Sequence, residues 1–580
     1  NSQIAQVESD MKSYPDKRAN KTWILSESID STSNEALLAY SPLVRQVLFN
    51  RGVRNAAEAE LFLNPSDKLI GPFDQMPDIR IATDRIIKAL NGGEKIAIYG
   101  DFDADGITAT ALLMEAFMGL GVEVLHYIPN RVSEGHGLNR RGLLELADIG
   151  VKVIITVDCG VTGLQDGSEY PDGIDIIVTD HHKPEEGLPP VLAVIDPMRT
   201  DSEYPSPELA GVGVALKLVQ SLYTQLGKTW DSSLLELVAL GTVADVAPIV
   251  GENRYLVKLG IDLIKRTSRP GILRLCSLAG VSVDKIDEES IGFYLAPRLN
   301  AAGRLSDAEI SLKLLLTNDS SEALELARSL DELNLVRQTM TRQIVESAEK
   351  NWNLEDSSNR TIIIVGGAEF PAGVAGLAAS RMAEEYNLPC VIYQEIDGEI
   401  KASCRSVAEF DITRALSKCG DLFTRYGGHH QAAGFVAPVQ NLSEIKTRLQ
   451  LLSNQELGGK KISPVINIDA EILPSSALSQ LEHIFGSMAP FGAQNRPPVF
   501  LAKTMKILSK RVVGKDRTHV KFSLGEIGSG LIWDAIAFGL ANKTNTLDDS
   551  IDVVYRLKKT TYNKPNNTGS PYELEILDFM

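Results

Sequence analysis

Short apolar runs alternate with helical segments from about residue 78 onward, and acidic residues stand where the runs end. The runs KIAIYG, VKVIITVD and IDIIVTD have the length and β-branched content of buried strands, and segments such as TATALLMEAFMGLG have the pattern of helices. This alternation predicts a parallel sheet with helices on both faces. Because ligands bind at the carboxyl ends of strands in such sheets, the acids are candidate site residues. The sequence therefore predicts an α/β fold with an acidic crevice.

The chain is too long for a single hydrophobic core, since 580 residues correspond to several domains of ordinary size. A long amphipathic segment near the middle predicts a helix that connects two α/β domains, and the last region shows the alternation typical of a small β domain. The patterns divide the chain into an N-terminal helical lead-in, a first α/β domain, a connecting helix, a second α/β domain and a C-terminal β domain, at 1–72, 73–317, 318–354, 355–458 and 459–580.

Four polar clusters follow predicted strands or helices of the first α/β domain, and their sequences are GDFDADG, VDCG, DHH and GTVADV. Carboxylates that converge without Lys or Arg neighbours repel one another, and divalent cations relieve that repulsion. Oxygen ligands combined with imidazole suit Mn²⁺ or Mg²⁺. Two such ions about 4 Å apart can activate a water molecule for in-line attack on phosphorus. The clusters therefore indicate a phosphodiester-hydrolysing metal site.

Each cluster also has a simpler interpretation. An Asp after a strand often caps the helix that follows, an isolated Asp158 fits a turn, and a His pair is commonly exposed or packed. The set as a whole favours a site, because three acidic clusters end three predicted strands in succession.

The net charge of −18 argues against a nucleic-acid partner, but the charge is unevenly spread. Residues 501–580 hold 12 Lys and Arg against 9 Asp and Glu. A basic stripe there is compatible with binding to a nucleic-acid backbone, although a solvated strand face is the alternative. The candidate contacts are Lys510, Arg511, Lys515, Arg517 and Lys521.

In this order along the chain, GDFDADG, VDCG, TDHHKP and GTVADV resemble the four motifs of the DHH phosphoesterases. RYGGHHQAAG resembles the motif of the DHHA1 domain, and LAPRLNAAGRL and APFGAQNRPPVF are similar to segments of the RecJ exonucleases. The resemblance implies a DHH domain with a parallel sheet, a long connecting helix, a DHHA1 domain of α/β type and a C-terminal OB-like β domain. Two positions depart from the family. Gln494 stands where the family's GxGN motif has its second Gly, and His136 stands where a Tyr is usual, so that it either stacks on a base or caps the loop.

The resemblance also implies roles for individual residues. The implied metal ligands are Asp103, Asp105, Asp158, His181 and Asp245. Asp158 would bridge two ions, Asp180 would support the His pair, and His182 would contact the scissile phosphate or act as a general acid. Asp101 would be either an outer ligand or a positioning group. The implied contacts to a 5′ phosphate and to DNA are Arg304, Ser403, Arg405, Gly428 and His429.

The resemblance implies a 5′→3′ exonuclease on single-stranded DNA that uses two Mn²⁺ or Mg²⁺ ions and acts in recombination and repair. One alternative is a phosphodiesterase on nanoRNA or cyclic dinucleotides, and another is a DNA-binding relative without catalysis. The implied partners are single-stranded DNA and, beyond it, a single-strand-binding protein and a helicase, with the chain as a monomer. Five cysteines without a CxxC pair, no apolar run long enough for a membrane span and no visible signal peptide predict a cytoplasmic protein.

Overall fold

The structure is a computed structural model, and it describes residues 21–131, 133–164, 166–184, 187–354, 360–460, 462–514, 516–559 and 572–580. Among these residues, no helix is both long enough and apolar enough to cross a membrane.

The first α/β domain contains a five-stranded parallel sheet whose middle strands are almost wholly buried. In spatial order, its strands are Leu125–Tyr127, Lys95–Gly100, Val151–Val157, Asp175–Thr179 and Ala193–Ile195. The chain leaves Lys95–Gly100 toward one edge and returns to Val151–Val157 on its other side. The strand order therefore reverses between these two strands, and a crevice forms at their carboxyl ends.

Helices cover both faces of this sheet. Helix Ala104–Gly119 is buried along nearly its whole length, because it packs between the sheet and two further apolar helices. This burial explains why its sequence is apolar on every side and not amphipathic. The helices of the domain are Ile79–Gly92, Ala104–Gly119, Arg140–Asp148, Gly211–Gln225, Leu234–Ala244, Gly251–Ile264, Pro270–Ala279, Glu288–Ser290, Ala296–Leu305 and Glu309–Leu316, with a π-helical turn at Ile291–Leu295.

Helix Ser320–Leu354 connects the two α/β domains. Ala323, Ala327 and Leu330, near its beginning, pack into the core of the first domain. Ile344 and Ala348, near its end, pack into the core of the second. At about 1.5 Å per residue, the helix extends over roughly 50 Å and holds both domains by its two ends.

The second α/β domain has a five-stranded mixed sheet. In spatial order, its strands are Arg425–His429, Ala432–Pro438, Glu399–Arg405, Cys390–Ile396 and Ile363–Gly367, and only the last two are parallel to each other. Its helices are Ala372–Tyr386, Ile412–Ser417 and Leu442–Leu457. The edge strand Arg425–His429 is exposed along its length.

The C-terminal region is a β barrel, since its long strand Phe500–Val513 pairs with both His519–Gly525 and Ser550–Lys559. The strands are Ala470–Glu471, Phe500–Val513, His519–Gly525, Ile532–Ala537, Ser550–Lys559 and Tyr572–Phe579, and the helices Pro474–Leu481 and Phe485–Met488 pack on the barrel's apolar core. Buried Trp533 and Tyr555 lie in the barrel core.

The N-terminal lead-in packs against this barrel. Its helices Pro42–Asn50 and Ala56–Leu63 share one apolar cluster with the barrel strands, and so does Leu37, which follows helix Ser31–Ala36. The sequence patterns predicted helices only, but the structure also has a strand, Thr22–Leu25, which pairs in parallel with Val465–Ile468. Its partner is distant in the chain, so no local pattern could have indicated the pairing.

Candidate metal centre

The first acidic cluster follows strand Lys95–Gly100 directly. Asp103 is the N-cap of helix Ala104–Gly119: its Oδ1 accepts hydrogen bonds from the backbone N–H groups of Asp105 at 3.0 Å and Gly106 at 3.1 Å. The capping interpretation of this motif is therefore correct for one oxygen of Asp103. Asp103 also offers a carboxylate oxygen to the acids of the crevice, so the same residue can cap a helix and bind a cation.

Asp105 is held by a neighbouring helix. Its Oδ2 accepts from the backbone N–H of Gly211 at 2.7 Å and its Oδ1 accepts from that of Val212 at 3.0 Å. A Cβ at Gly241 would lie 2.8 Å from Asp105 Oδ1, so the glycine of the GTVADV motif allows its helix to approach. That approach brings Asp245, at the end of the same helix, to the crevice.

Asp158 follows the next strand and has a left-handed backbone with φ of 60°. Its N–H donates to the carbonyl oxygen of Thr179 at 3.0 Å, which joins the ends of two adjacent strands. His181 Nε2 lies 3.1 Å from Asp158 Oδ1, 3.9 Å from Asp105 Oδ2 and 4.0 Å from Asp245 Oδ2. The imidazole therefore faces three carboxylates at once.

Asp180 holds the two histidines. Its Oδ1 lies 2.7 Å from His182 Nδ1 and also accepts from the backbone N–H groups of His181 and His182, while its Oδ2 accepts from Val161 N–H at 2.9 Å. The side-chain contact is thus to His182, and the contact to His181 is through the backbone. Burial opposes a charged imidazole, but Asp180 raises the pKa of His182 to about 9. Burial lowers the pKa of His181 to about 4.

Burial and mutual repulsion raise the pKa values of the carboxylates in the crevice and so disfavour their charged forms. Burial and the neighbouring Asp103 raise the pKa of Asp105 to about 7, and burial with Asp105 raises that of Asp245 to about 8. Burial is also the largest cause that raises the pKa of Asp101 to about 6 and that of Asp158 well above its usual range. Charge of this kind is ordinarily balanced by a metal ion.

The donor atoms fit such ions. Ligand atoms lie within 4.8 Å of one another in three groups: Asp101 with Asp103 and Asp158, Asp105 with His181 and Asp245, and Asp158 with His181 and His182. Within the described residues, Asp101 Oδ1, Asp158 Oδ1 and His181 Nε2 are buried and have no hydrogen-bond partner. Since Asp158 and His181 recur between groups, the set suits two adjacent divalent cations with oxygen and imidazole ligands.

Arg304, Ser403 and Arg405 lie where the two α/β domains meet. Ser403 and Arg405 are two residues apart on strand Glu399–Arg405 and share one face. A Cβ at Gly376 would lie 3.2 Å from Arg405 Nη2 and 3.6 Å from Ser403 Oγ, and a Cβ at Gly373 would lie 2.4 Å from the carbonyl oxygen of Arg304. The two helix glycines therefore let all three residues converge.

The sequence analysis missed Arg131, which belongs to this cationic group. Its guanidinium lies 4.8 Å from the ring centre of Phe102, inside the GDFDADG motif. Burial and the positive charge of Arg131 lower the pKa of Arg304 to about 9. Among the described residues, Arg131, Arg304 and Arg405 take part in no ion pair with a carboxylate, so an anionic ligand would balance them. Arg131 carries no motif that could have marked it in the sequence.

Gly428 and His429 lie on the exposed edge strand of the second domain. Gly428 has φ of 138°, and a Cβ there would lie 2.4 Å from the carbonyl oxygen of Ala432, so the tight turn requires glycine. The ring of His429 is nearly parallel to that of His182, with centroids 6.4 Å apart. The second domain therefore reaches across to the metal crevice.

The basic stripe of the barrel divides between two faces. Arg511 pairs directly with Lys521 across the hairpin, so two like charges lie side by side. Lys510, on the opposite face, donates to the carbonyl oxygen of Thr544 at 2.8 Å, and Arg517 lies in the hairpin turn with φ of 51°. Lys515 lies outside the described residues. Arg511 and Lys521 thus place two positive charges next to each other on one face of the hairpin.

The chain is similar to known proteins along most of its length. Three family models match in succession: the DHH family, N-terminal domain, at 95–242, the DHHA1 domain at 359–454 and the RecJ OB domain at 468–568. The chain is 34% identical over 525 residues to the single-stranded-DNA-specific exonuclease RecJ of Escherichia coli, and the match covers 86% of this chain and 89% of that protein. The chain belongs to the RecJ family. The predicted family and fold class are therefore confirmed.

Other members of the RecJ family are similarly close. The exonuclease RecJ of Bacillus subtilis is 35% identical over 509 residues, and this chain spans 63% of its length. The crystal structure of RecJ from Thermus thermophilus in complex with Mn²⁺ superposes with a TM-score of 0.82 at 29% identity, covering 96% of this chain and 79% of that one. The same enzyme has also been solved in complex with Mg²⁺.

Proposed function

We propose that this chain is a metal-dependent exonuclease that degrades single-stranded DNA from the 5′ end. The observation that carries the proposal is the position of Arg304, at the end of a helix that approaches both features. A Cβ at the preceding Gly303 would lie 2.4 Å from the carbonyl oxygen of Phe102 in the acidic loop, and a Cβ at Gly373 of the second domain would lie 2.4 Å from the carbonyl oxygen of Arg304. A nuclease needs these two features side by side: a centre that cleaves a phosphodiester, and a pocket that holds the terminal phosphate.

Asp103, Asp105, Asp158, His181 and Asp245 would hold two Mn²⁺ or Mg²⁺ ions, which supply an activated water and balance the charge on the attacked phosphate. Asp158 is suited to the proposed bridging role, because it belongs to two of the three ligand groups. Asp180 fixes the ring of His182 through Nδ1, so that Nε2 remains to donate a hydrogen bond to a phosphate oxygen. His182 is therefore the proposed contact to the scissile phosphate.

Arg304, Ser403 and Arg405 supply the chemistry of a phosphate pocket. Two guanidinium groups and a hydroxyl donate several hydrogen bonds to one phosphate, and a terminal phosphate offers more oxygens than an internal one. Such a pocket favours cleavage near a 5′ end over cleavage within a strand. The opposed Arg511 and Lys521 would contact the phosphates of the strand farther from the end.

Labelled substrates test the proposal. We expect Mn²⁺-dependent release of short products from the 5′ end of a 5′-phosphorylated single strand, and little cleavage of a blunt duplex. Arg405→Gln should raise KM for the phosphorylated strand at least tenfold, while its KM for a 5′-hydroxyl strand should change less. Cleavage of dinucleotides alone would favour the alternative of a short-substrate phosphodiesterase, which the matched RecJ OB domain disfavours. Full activity of Asp158→Ala would contradict the metal assignment.

The family membership also supports three further expectations: a function in recombination and repair, cooperation with a single-strand-binding protein and a helicase, and a monomeric cytoplasmic protein. Size-exclusion chromatography with light scattering would test the monomer directly.

A further inference from the structure

His136 lies at the opening of the metal crevice, on a loop flanked by two glycines with left-handed backbones, Gly135 and Gly137, at φ of 85° and 82°. Its imidazole Nε2 is 3.1 Å from Asp101 Oδ2. The His136 side chain is 59% exposed and that of Asp101 is 1% exposed, so the contact joins a surface residue to a buried carboxylate.

The two carboxylate oxygens of Asp101 have different surroundings. Oδ2 faces His136, whereas Oδ1 is buried and has no hydrogen-bond partner among the described residues. The ligand atoms of Asp101, Asp103 and Asp158 lie within 4.8 Å of one another, and of these three acids only Asp101 is in ion-pair contact with His136. The imidazole therefore binds one oxygen of Asp101, and the other oxygen remains buried and without a hydrogen-bond partner in the described part of the chain.

The His136 ring is itself held in place. It packs edge-on against the buried ring of Phe102, with centroids 5.4 Å apart, and Phe102 is covered by the guanidinium of Arg131. The ring of His182 lies 6.3 Å away, also edge-on. A ring with two such neighbours can fix the orientation of the carboxylate that it contacts.

We propose that His136 is a positioning residue for the metal centre: it holds Asp101 through Oδ2 and so presents Oδ1 as a ligand to the cation bound by Asp103 and Asp158. This inference rests on the proposed two-metal function. An acceptor or donor behind a ligating group commonly changes metal affinity 10–100-fold, because it fixes the ligand and tunes its basicity. The centre would then be completed by a residue outside the acidic motifs.

Titration of the metal-free protein with MnCl₂, followed by calorimetry and by the electron paramagnetic resonance of free Mn²⁺, tests the proposal without DNA. We expect His136→Phe to weaken one of two Mn²⁺ sites by about 10–100-fold and to leave the other unchanged. His136→Gln should restore most of the affinity, because its amide N–H can donate to Asp101. His483→Phe, an exposed histidine of the C-terminal region, is the matched control.

The Asp101→Asn background shows whether His136 acts through Asp101. In that background, His136→Phe should cause no further loss of Mn²⁺ affinity. The proposal is wrong if His136→Phe binds both ions like the wild type, or if its effect is as large without the Asp101 carboxylate. It is also wrong if the variant loses only affinity for single-stranded DNA, which would make His136 a strand contact. Because only protein and Mn²⁺ are measured, an error in the proposed polarity or substrate would leave these results unchanged.

Discussion

A single methyl group at Gly211 should disturb the metal centre without replacing any charged residue. A Cβ there would lie 2.7 Å from both Cβ and Oδ1 of Asp158, whereas ordinary contacts begin at 3.4 Å. Asp158 would therefore have to retreat by about 0.7 Å. It cannot do so freely, because its N–H is bonded to Thr179 and its backbone is left-handed.

Overpacking of this kind costs about 1–3 kcal/mol, and the gain in helix propensity from Gly to Ala, at most about 1 kcal/mol, offsets only part of it. We expect Gly211→Ala to lower the free energy of unfolding of the metal-free protein by about 1–2 kcal/mol. We also expect Mn²⁺ affinity to fall by about 10–100-fold, since the displaced carboxylate is the proposed bridge between the ions.

Urea denaturation in EDTA measures the first quantity, and calorimetric titration with Mn²⁺ measures the second. Gly213→Ala is the matched control, because it lies on the same helix and its Cβ would come closest to the flexible end of Leu209, at 3.2 Å. If Gly211→Ala bound Mn²⁺ as tightly as Gly213→Ala, the idea that Asp158 is held in a fixed position for the metal would be refuted.

Three further changes test other parts of the molecule. Arg254→Met should lower the free energy of unfolding in urea denaturation by about 3 kcal/mol. The buried guanidinium donates only to backbone carbonyl oxygens of two other segments, and these would lose their partners. A loss below about 1 kcal/mol would contradict this. Arg511→Gln combined with Lys521→Gln should reduce the slope of log affinity for single-stranded DNA against log salt by roughly one per residue, and an unchanged slope would exclude the pair from the interface. Burial raises the pKa of Asp196 to about 7, so the native protein keeps a proton that the unfolded chain loses near pH 4, and stability falls as the pH rises from about 4 to about 7. Asp196→Asn should reduce that fall by the part that this carboxyl contributes, and equal differences in the free energy of unfolding between pH 5 and pH 8 in both proteins would argue against it.

The sequence predicted the crevice because its signal is local. A parallel strand and the acid that ends it are adjacent in the chain, and the sheet necessarily brings Asp101, Asp103 and Asp158 to one edge. The same locality explains why two interpretations of Asp103 were open, since a helix cap and a metal ligand need the same residue at the same place. The structure shows that Asp103 caps the helix and also belongs to a group of candidate ligands.

Other features of the site and fold depend on contacts between segments that are far apart in the sequence, and the sequence could not predict them. Asp105 is held by the first N–H groups of helix Gly211–Gln225, and nothing near either segment indicates the other. The strand Thr22–Leu25 and the convergence of Arg131 with Arg304 are of the same kind. The basic stripe is a different case: its residues were grouped by composition, and strand alternation places Lys510 and Arg511 on opposite faces.

Helix Ala296–Leu305 joins the proposed metal centre to the proposed phosphate pocket. Asn300 Oδ1 accepts from the N–H of Ala104 at 2.9 Å, in the first turn after Asp103. A Cβ at Gly303 would lie 2.4 Å from the carbonyl oxygen of Phe102, so this helix can approach the acidic loop only with glycine at that position. The next residue is Arg304, whose backbone contacts the second domain. One rigid helix would set the distance from the bound terminal phosphate to the cleaved bond, so the enzyme should release products of one constant length. Replacing Gly303 with a bulkier residue should change that distance, and activity on every substrate should change alike.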